Sequence, residues 1–176
     1  MKPTIEKIIS IDELAKIRLL YKDKKIALCS GCFDVFHSGH TVFFEQCKEL
    51  CDILIVSVGS DSVIRKIKGP GRPVNFQNNR VFLVAAVGNV DYAILGGEAE
   101  NMKNGKIDFY EIIKNLKPNM LILNDDDSSV KEKNKLCKDS NVELKVVKRF
   151  VPSFLDSVSS TKIIGQIKNI KLNYKK

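Results

Sequence analysis

Short apolar runs alternate with amphipathic stretches along this chain, and that alternation restricts the fold more than any other feature. Residues 25–29, 53–58, 91–95, 120–123 and 142–147 read as five strands. The second of them, Ile53-Leu54-Ile55-Val56-Ser57-Val58, is apolar almost throughout, the pattern of a strand covered on both faces. Between the strands lie helical patterns. Ser10 and Glu13 form an S-x-x-E capping box before a helix reaching about Tyr21. Val42, Phe43, Cys47, Leu50 and Cys51 follow a period near 3.6. Asn75 is placed to cap a helix running to about Val87, Asp108 to begin one that Lys117-Pro118 stops, and Ser128 to cap a polar helix to about Lys138. A last helix carries Ile163, Ile164, Ile167 and Ile170 on one stripe. The alternation predicts right-handed crossovers and an α/β fold, a Rossmann-like five-stranded parallel sheet with helices on both faces. It is read as a single domain over residues 1–170, followed by a basic tail over 171–176 that is expected to fray. In open sheets of this kind ligands bind beyond the carboxyl ends of the strands, so the loops leaving the strands are the ones to inspect.

Charge narrows the ligand class. Lys and Arg number 29 against 21 Asp and Glu, a formal +8 that favours polyanions without saying which. With 7% aromatics, no Trp and no dense Arg/aromatic patch, nucleic acid is a weak candidate. The first residues have no apolar leader segment and no run is long enough to span a bilayer, so the expectation is a cytoplasmic protein without a membrane partner. The five cysteines, Cys29, Cys32, Cys47, Cys51 and Cys137, include one CxxC pair, but no second ligand pair on a matching knuckle. They read as small buried side chains rather than a zinc or redox site, and no residue set is singled out as metal ligands.

The loop after the first strand carries the strongest chemical signal. Gly31-Cys32-Phe33-Asp34-Val35-Phe36-His37-Ser38-Gly39-His40 fits G-x-F-D-x-x-H-x-G-H and contains the only two histidines of the chain. Spaced three apart where a helix begins, His37 and His40 fall on one side of its first turn, beside free backbone N–H groups and the positive end of the dipole. Gly31 and Gly39 permit close backbone approach. Such an arrangement suits a polyphosphate, and the imidazole N–H groups can stabilise charge developing on a phosphorus under attack.

On these residues the chain resembles the cytidylyltransferase-like nucleotidyltransferases, whose signature is HxGH. The resemblance implies attack by a phosphate oxygen of an acceptor on the α-phosphorus of an NTP, ATP or CTP, with pyrophosphate leaving, Mg²⁺ assisting and no covalent enzyme intermediate. It implies that His37 and His40 contact the triphosphate and that the backbone at Cys32 and Phe33 lines the nucleotide site. Asp34 is expected to order the loop through backbone hydrogen bonds or to contact ligand directly. Val158-Ser159-Ser160-Thr161-Lys162-Ile163 resembles the family's second signature, I-S-T-T-x-I, and assigns Ser159, Ser160 and Thr161 to phosphate at a helix start. The basic loop after strand two supplies Lys68, and by the same resemblance Lys66. Arg80 on the next helix is expected to hold the nucleotide or the helix, and Asp91 at the start of strand three is weighed equally as a ligand or a turn residue. A homodimer is the common form in the family.

The resemblance covers nearly the whole chain and is strongest to the heptose 1-phosphate adenylyltransferase domain of ADP-heptose synthesis. The run Lys68-Gly69-Pro70-Gly71-Arg72-Pro73-Val74-Asn75, K-G-x-x-R-P-V-N, is its more diagnostic part and brings Arg72 forward as an acceptor contact. A stand-alone domain, with no sugar-kinase portion preceding it, is expected. Two features depart from that branch. Where it has K-G-G-D after strand four, this chain has Asn124-Asp125-Asp126-Asp127, which reads either as a solvated acidic turn capping the next helix or as a set in which Asn124, Asp125 and Asp126 meet the acceptor. Residues 149–156 also lengthen the approach to the second signature, as an acceptor-pocket or partner element. A glycerol-3-phosphate-type cytidylyltransferase, an adenylyltransferase for FMN or another small phosphate, and a nucleotide-binding regulatory module without chemistry remain as alternatives.

Overall fold

A computed structural model describes residues 2–102 and 107–170. The tail at 171–176 and residues 103–106, within a polar stretch of the sequence, lie outside the described residues. The strands are β1 (Ile8–Ile9), β2 (Ile26–Gly31), β3 (Ile53–Val58), β4 (Tyr92–Leu95), β5 (Met120–Asn124) and β6 (Glu143–Val147). The helices are α1 (Leu14–Leu20), α2 (Ser38–Lys48), α3 (Asp61–Lys68), α4 (Gln77–Ala85), α5 (Tyr110–Leu116), α6 (Val130–Ser140) and α7 (Ser160–Asn169). All strand pairs are parallel, in the order β1-β4-β3-β2-β5-β6.

Six strands stand where the sequence pattern gives five. The added one, β1, pairs Ile8 with Ala93 and Ile9 with Ile94 at the sheet edge, and two residues are too few to show a period. The basic segment after β3 is also a helix, α3, whose N-cap Ser60 Oγ accepts from Val63 N at 3.4 Å. Helix α4 starts one residue later than proposed: Asn75 O is taken by Arg80 Nε (2.8 Å), and Phe76 O accepts the first helical bond from Arg80 N (3.1 Å).

Alternation along the strands accounts for their near-continuous apolarity. Ile26, Leu28 and Ile55 pack with residues of α1 and α5 on one face, whereas Ala27, Cys29, Leu54 and Val56 pack with Phe43, Phe44, Cys47, Val81 and Val84 of α2 and α4 on the other. Helices α5 and α6 each end on a residue in the left-handed region, Lys117 (φ 48°) and Asn141 (φ 54°).

Strand order reverses between β2 and β5. The chain leaves β2 toward β3 and β4 on one side, and β5 leads to β6 on the other, which opens a crevice beyond Gly31 and Asn124.

Candidate active site

The crevice holds a cavity of about 340 Å³. From the end of β2 and the loop after it come Gly31, Cys32 and Phe33; from α2, Gly39, His40, Phe43 and Gln46, with His37 just ahead of it. Lys68 and Arg72 enter from the end of α3 and the loop after it, Asn124 and Asp126 from the end of β5, Arg149 and Phe150 from beyond β6, and Ser159, Ser160 and Thr161 from the start of α7.

The glycine positions shape the loop. A Cβ on Gly31 would lie 2.7 Å from Phe33 Cζ, and one on Gly39 3.1 Å from the His37 ring. Phe33 itself sits in the left-handed region (φ 48°), buried, with its ring 5.2 Å from those of His40 and Phe44. Asp34 is buried behind the loop. Its carboxylate accepts from Arg72 Nε (2.5 Å), Val74 N (2.7 Å) and Asn75 N (2.9 Å), fastening the basic loop to the histidine loop.

His37 and His40 stack with ring centroids 3.8 Å apart at 21°. His40 Nδ1 accepts from His37 N at 3.3 Å, so the neutral ring carries its proton on Nε2. Phe36 flanks the same ring at 5.3 Å. Burial in this aromatic setting, reinforced by His37 and by Arg149, pushes the His40 pKa down to about 3. Burial, then Arg149, also lowers that of His37. Near neutral pH His40 is therefore an uncharged hydrogen-bond donor and not an imidazolium. Cys32 is not poised as a nucleophile, since burial raises its thiol pKa against the opposing charge of Lys68.

Two helix N-termini meet here. α2 opens beside the histidines, and Ser160 Oγ donates to Val35 O (3.1 Å), joining the first turn of α7 to the same loop. Ser159 Oγ accepts from Lys162 N at 3.2 Å as the α7 N-cap. Oriented amides, three cations and uncharged imidazoles face one cavity, an arrangement complementary to a polyphosphate.

Several residues expected at the site lie elsewhere. Arg80 is fully buried and its N–H groups are spent on Asn75 O (2.8 Å), Cys32 O (2.6 Å) and Asp61 Oδ1 (2.7 Å), so it holds the loop from behind. Asp91 lies at the opposite, amino end of the strands, accepting from Lys48 Nζ (2.5 Å) and Leu54 N (2.7 Å). Lys66 Nζ reaches Ala99 O (3.4 Å) and does not line the cavity. The acidic turn divides its work. Asp125 Oδ1 accepts from Arg149 N (3.2 Å), Asp126 Oδ2 from Arg149 Nη1 (3.1 Å), and Asp127 from Ser129 N (2.9 Å) and Lys133 Nζ (2.6 Å). Only Asn124 and Asp126 of this turn face the cavity.

Gln46 and Phe43 line the cavity although no site role was read for them from the sequence, and Arg149 and Phe150 enter it from the 149–156 segment read as an acceptor-pocket or partner element. Position alone pointed to Arg149, a cation in the loop leaving the carboxyl end of a strand. Among the described residues no group of three or more His, Cys, Asp and Glu side chains gathers as a metal cage. One cavity carboxylate, Asp126, is the kind of donor that Mg²⁺ uses together with substrate phosphates and water.

A larger cavity, about 830 Å³, lies along β1 and β4, but no Lys, Arg or His is among the described residues lining it. Of the two, the smaller one is complementary to a polyphosphate.

Residues 28–166 match the cytidylyltransferase-like family. The chain is 34% identical over 167 residues to the bifunctional protein HldE of Aliarcobacter butzleri, covering 93% of this chain and 32% of that protein. It is 36% identical over 166 residues to the bifunctional protein HldE of Campylobacter jejuni subsp. doylei, covering 94% and 32%. It thus spans about a third of the length of these relatives. Among solved structures, the lipopolysaccharide core biosynthesis protein from Thermoplasma volcanium superposes with a TM-score of 0.58 at 27% identity, over 74% of this chain and 99% of that one. Pantoate-beta-alanine ligase from Francisella tularensis, in complex with beta-gamma ATP and beta-alanine, shares the fold, with a TM-score of 0.56 at 21% identity over 92% and 76%. No helix among the described residues is long and apolar enough to cross a membrane.

Proposed function

From the premise that this chain belongs to the cytidylyltransferase-like family, we propose that it transfers a nucleoside monophosphate from an NTP to a phosphorylated sugar or polyol. The carrying observation is the stacked histidine pair at the α2 N-terminus, facing Lys68, Arg72 and Arg149 across the cavity. A phosphate oxygen of the acceptor forms a bond to the α-phosphorus, the bond to the bridging oxygen breaks, and pyrophosphate leaves with that electron pair.

His40, neutral with its proton on Nε2, donates to a non-bridging oxygen as charge builds there, and His37 supports it from the N-cap of the same turn. Lys68, Arg72 and Arg149 neutralise the pyrophosphate, which also accepts from the amides at the start of α7 and from the hydroxyls of Ser159 and Thr161, while the Ser160 hydroxyl stays on Val35 O. Gly31, Cys32, Phe33 and Gly39 form the backbone wall against the nucleotide. Asp34 and Arg80 act indirectly, by fixing the two loops that carry these groups. Asp126 is the side chain that would hold Mg²⁺ alongside substrate phosphates, and the ion would offset triphosphate charge.

A heptose 1-phosphate-type acceptor with ATP is the specific form proposed, on the K-G-x-x-R-P-V-N run and the relatives. The Asp125-Asp126 pair after β5 favours, as second reading, a glycerol-3-phosphate-type cytidylyl transfer. A homodimer in the cytoplasm completes the proposal and is read by sedimentation equilibrium and by cell fractionation. The deciding experiment is a pyrophosphate-release matrix of ATP, CTP, GTP and UTP against sugar 1-phosphates, glycerol 3-phosphate and FMN. One productive pair is expected; nucleotide binding without release across the whole matrix overturns the transfer reading in favour of a regulatory module.

A further inference from the structure

Three neighbouring strands run into glycine at their carboxyl ends. β2 ends on Gly31, β3 is followed by Gly59, and β4 by Gly96 and Gly97. Gly59 N donates to Gly31 O (3.0 Å) and Gly96 N to Val58 O (2.8 Å), so these ends lie side by side as a glycine floor, packed against the Phe33 ring at Gly31 and against Asp108 at Gly59 and Gly96. With neighbouring strands about 4.8 Å apart, the floor reaches roughly 10 Å from the histidine loop to β4.

One carboxyl group hangs over its far end. Asp108, just ahead of α5, has Oδ2 at 2.9 Å from a Cβ built on Gly96 and 3.6 Å from one built on Gly59, while its carbonyl accepts from Gly97 N at 2.7 Å. Ser57 Oγ lies 3.4 Å from the same Gly96 position, fully buried and without a hydrogen-bond partner. Burial raises the Asp108 carboxyl pKa, and the charge of Asp108 is among the causes that raise the thiol pKa of Cys32, which places the group within electrostatic reach of the reaction loop. Asp108 also borders the 830 Å³ cavity, so the space beside it is open.

The polar groups are thus sorted along the floor. Lys68, Arg72 and Arg149 stand at the histidine end and Asp108 at the other. A phosphate is drawn to the first end and repelled from the second. A hydroxyl is suited to the second, because a carboxylate accepts hydrogen bonds only, and its two oxygens have room for donors beyond the backbone N–H groups of Asp108 and Phe109 that already reach it.

We propose that Asp108, with Ser57 behind it, is the specificity-determining group of the acceptor subsite, receiving the hydroxyls of a polyhydroxylated phosphomonoester whose phosphate faces His37 and His40. This rests on the nucleotidyl-transfer reading and adds to it a reason for choosing a sugar or polyol over a bare phosphomonoester. A site built around hydroxyl hydrogen bonds rejects analogues that lack them.

The test uses the full ¹⁵N-labelled chain with three probes, mannose 1-phosphate, glycerol 3-phosphate and methyl phosphate, each with and without α,β-methylene ATP or CTP. At least one polyol phosphate is expected to shift the amide signals of Gly59, Gly96 and Gly97, and methyl phosphate to leave them in place. Asp108→Asn, checked for folding by its thermal melt, is expected to raise the Kd for that polyol phosphate at least tenfold and to bind methyl phosphate within twofold of wild type. Polyol phosphates that leave the three glycine signals unmoved, or that bind the folded variant as tightly as wild type, overturn the proposal. The mapping on wild type needs no variant. Glycine shifts from a polyol phosphate with no pyrophosphate release from any NTP would keep the subsite and refute the transfer reading, so the two failures are separable.

Discussion

Exchange of His40 for Asn isolates the energetic cost of keeping that imidazole uncharged. In the folded chain the ring lies between His37 at 3.8 Å, Phe33 at 5.2 Å and Phe36 at 5.3 Å, and its pKa is about 3. In the unfolded chain it returns to roughly 6.5. Between these values the unfolded state binds a proton that the folded state refuses. The full stability is therefore present above about pH 6.5 and is lost as pH falls through the window, at about 1.4 kcal/mol per pH unit. From pH 7 to pH 5 this amounts to roughly 2 kcal/mol from His40 alone. An Asn keeps an acceptor near the Nδ1 position but has no proton to gain. Urea unfolding of both proteins at pH 7 and pH 5 reads the difference, since the other titrating groups are common to both. Wild type should lose roughly 2 kcal/mol more than His40→Asn on acidification. With only two histidines in the chain, NMR titration of the ring signals gives an independent check. An equal pH-dependent loss in both proteins, or a His40 ring titrating near its ordinary value, would refute the argument from burial.

Other substitutions test the placement of the supporting residues. Arg80→Ala should cost about 3–5 kcal/mol in denaturant unfolding, because it empties a buried position and leaves Asp61 without its cation; a loss below about 1 kcal/mol contradicts the clamp. Gly31→Ala forces a Cβ to within 2.7 Å of Phe33 Cζ and should destabilise by about 1–3 kcal/mol while turnover falls, measured by thermal melt and pyrophosphate release. Asp91→Ala removes the acceptor of Leu54 N and the partner of Lys48 at the far end of the sheet, so about 1–3 kcal/mol of stability should go while kcat and KM stay within twofold. A tenfold change in either kinetic constant would return Asp91 to the site.

The sheet and its reaction loop were legible because their signals are local. A run such as 53–58 encodes burial on two faces, and the spacing of His37 and His40 encodes a helix start. Edge strand β1 escaped notice because two isoleucines show no period and owe their conformation to pairing with Ala93 and Ile94. Arg80 and Asp91 show a different limit. Residue type and order left Arg80 between nucleotide and helix, and Asp91 between ligand and turn residue, because the direction of a side chain is set by tertiary partners. Arg80 turns inward to Asp61 and Cys32 O, and Asp91 sits at the amino ends of strands whose carboxyl ends bind ligand. Arg149 was hidden in the long 149–156 segment. Only the fold returns that segment over the histidines, where Arg149 Nη2 meets Val158 O at 2.7 Å and Nη1 meets Asp126. The run of three aspartates looked like one feature, yet each finds its own donor.

The central claim is that the histidine pair stabilises a phosphorus under attack, and not merely a bound nucleotide. Its most direct test compares wild type with His40→Ala in single-turnover pyrophosphate release, using the productive NTP and acceptor, alongside NTP affinity by calorimetry. The rate should fall at least about 100-fold with NTP affinity changed far less, the mark of an interaction realised in the transition state. A folded His40→Ala protein that releases pyrophosphate at the wild-type rate would contradict it.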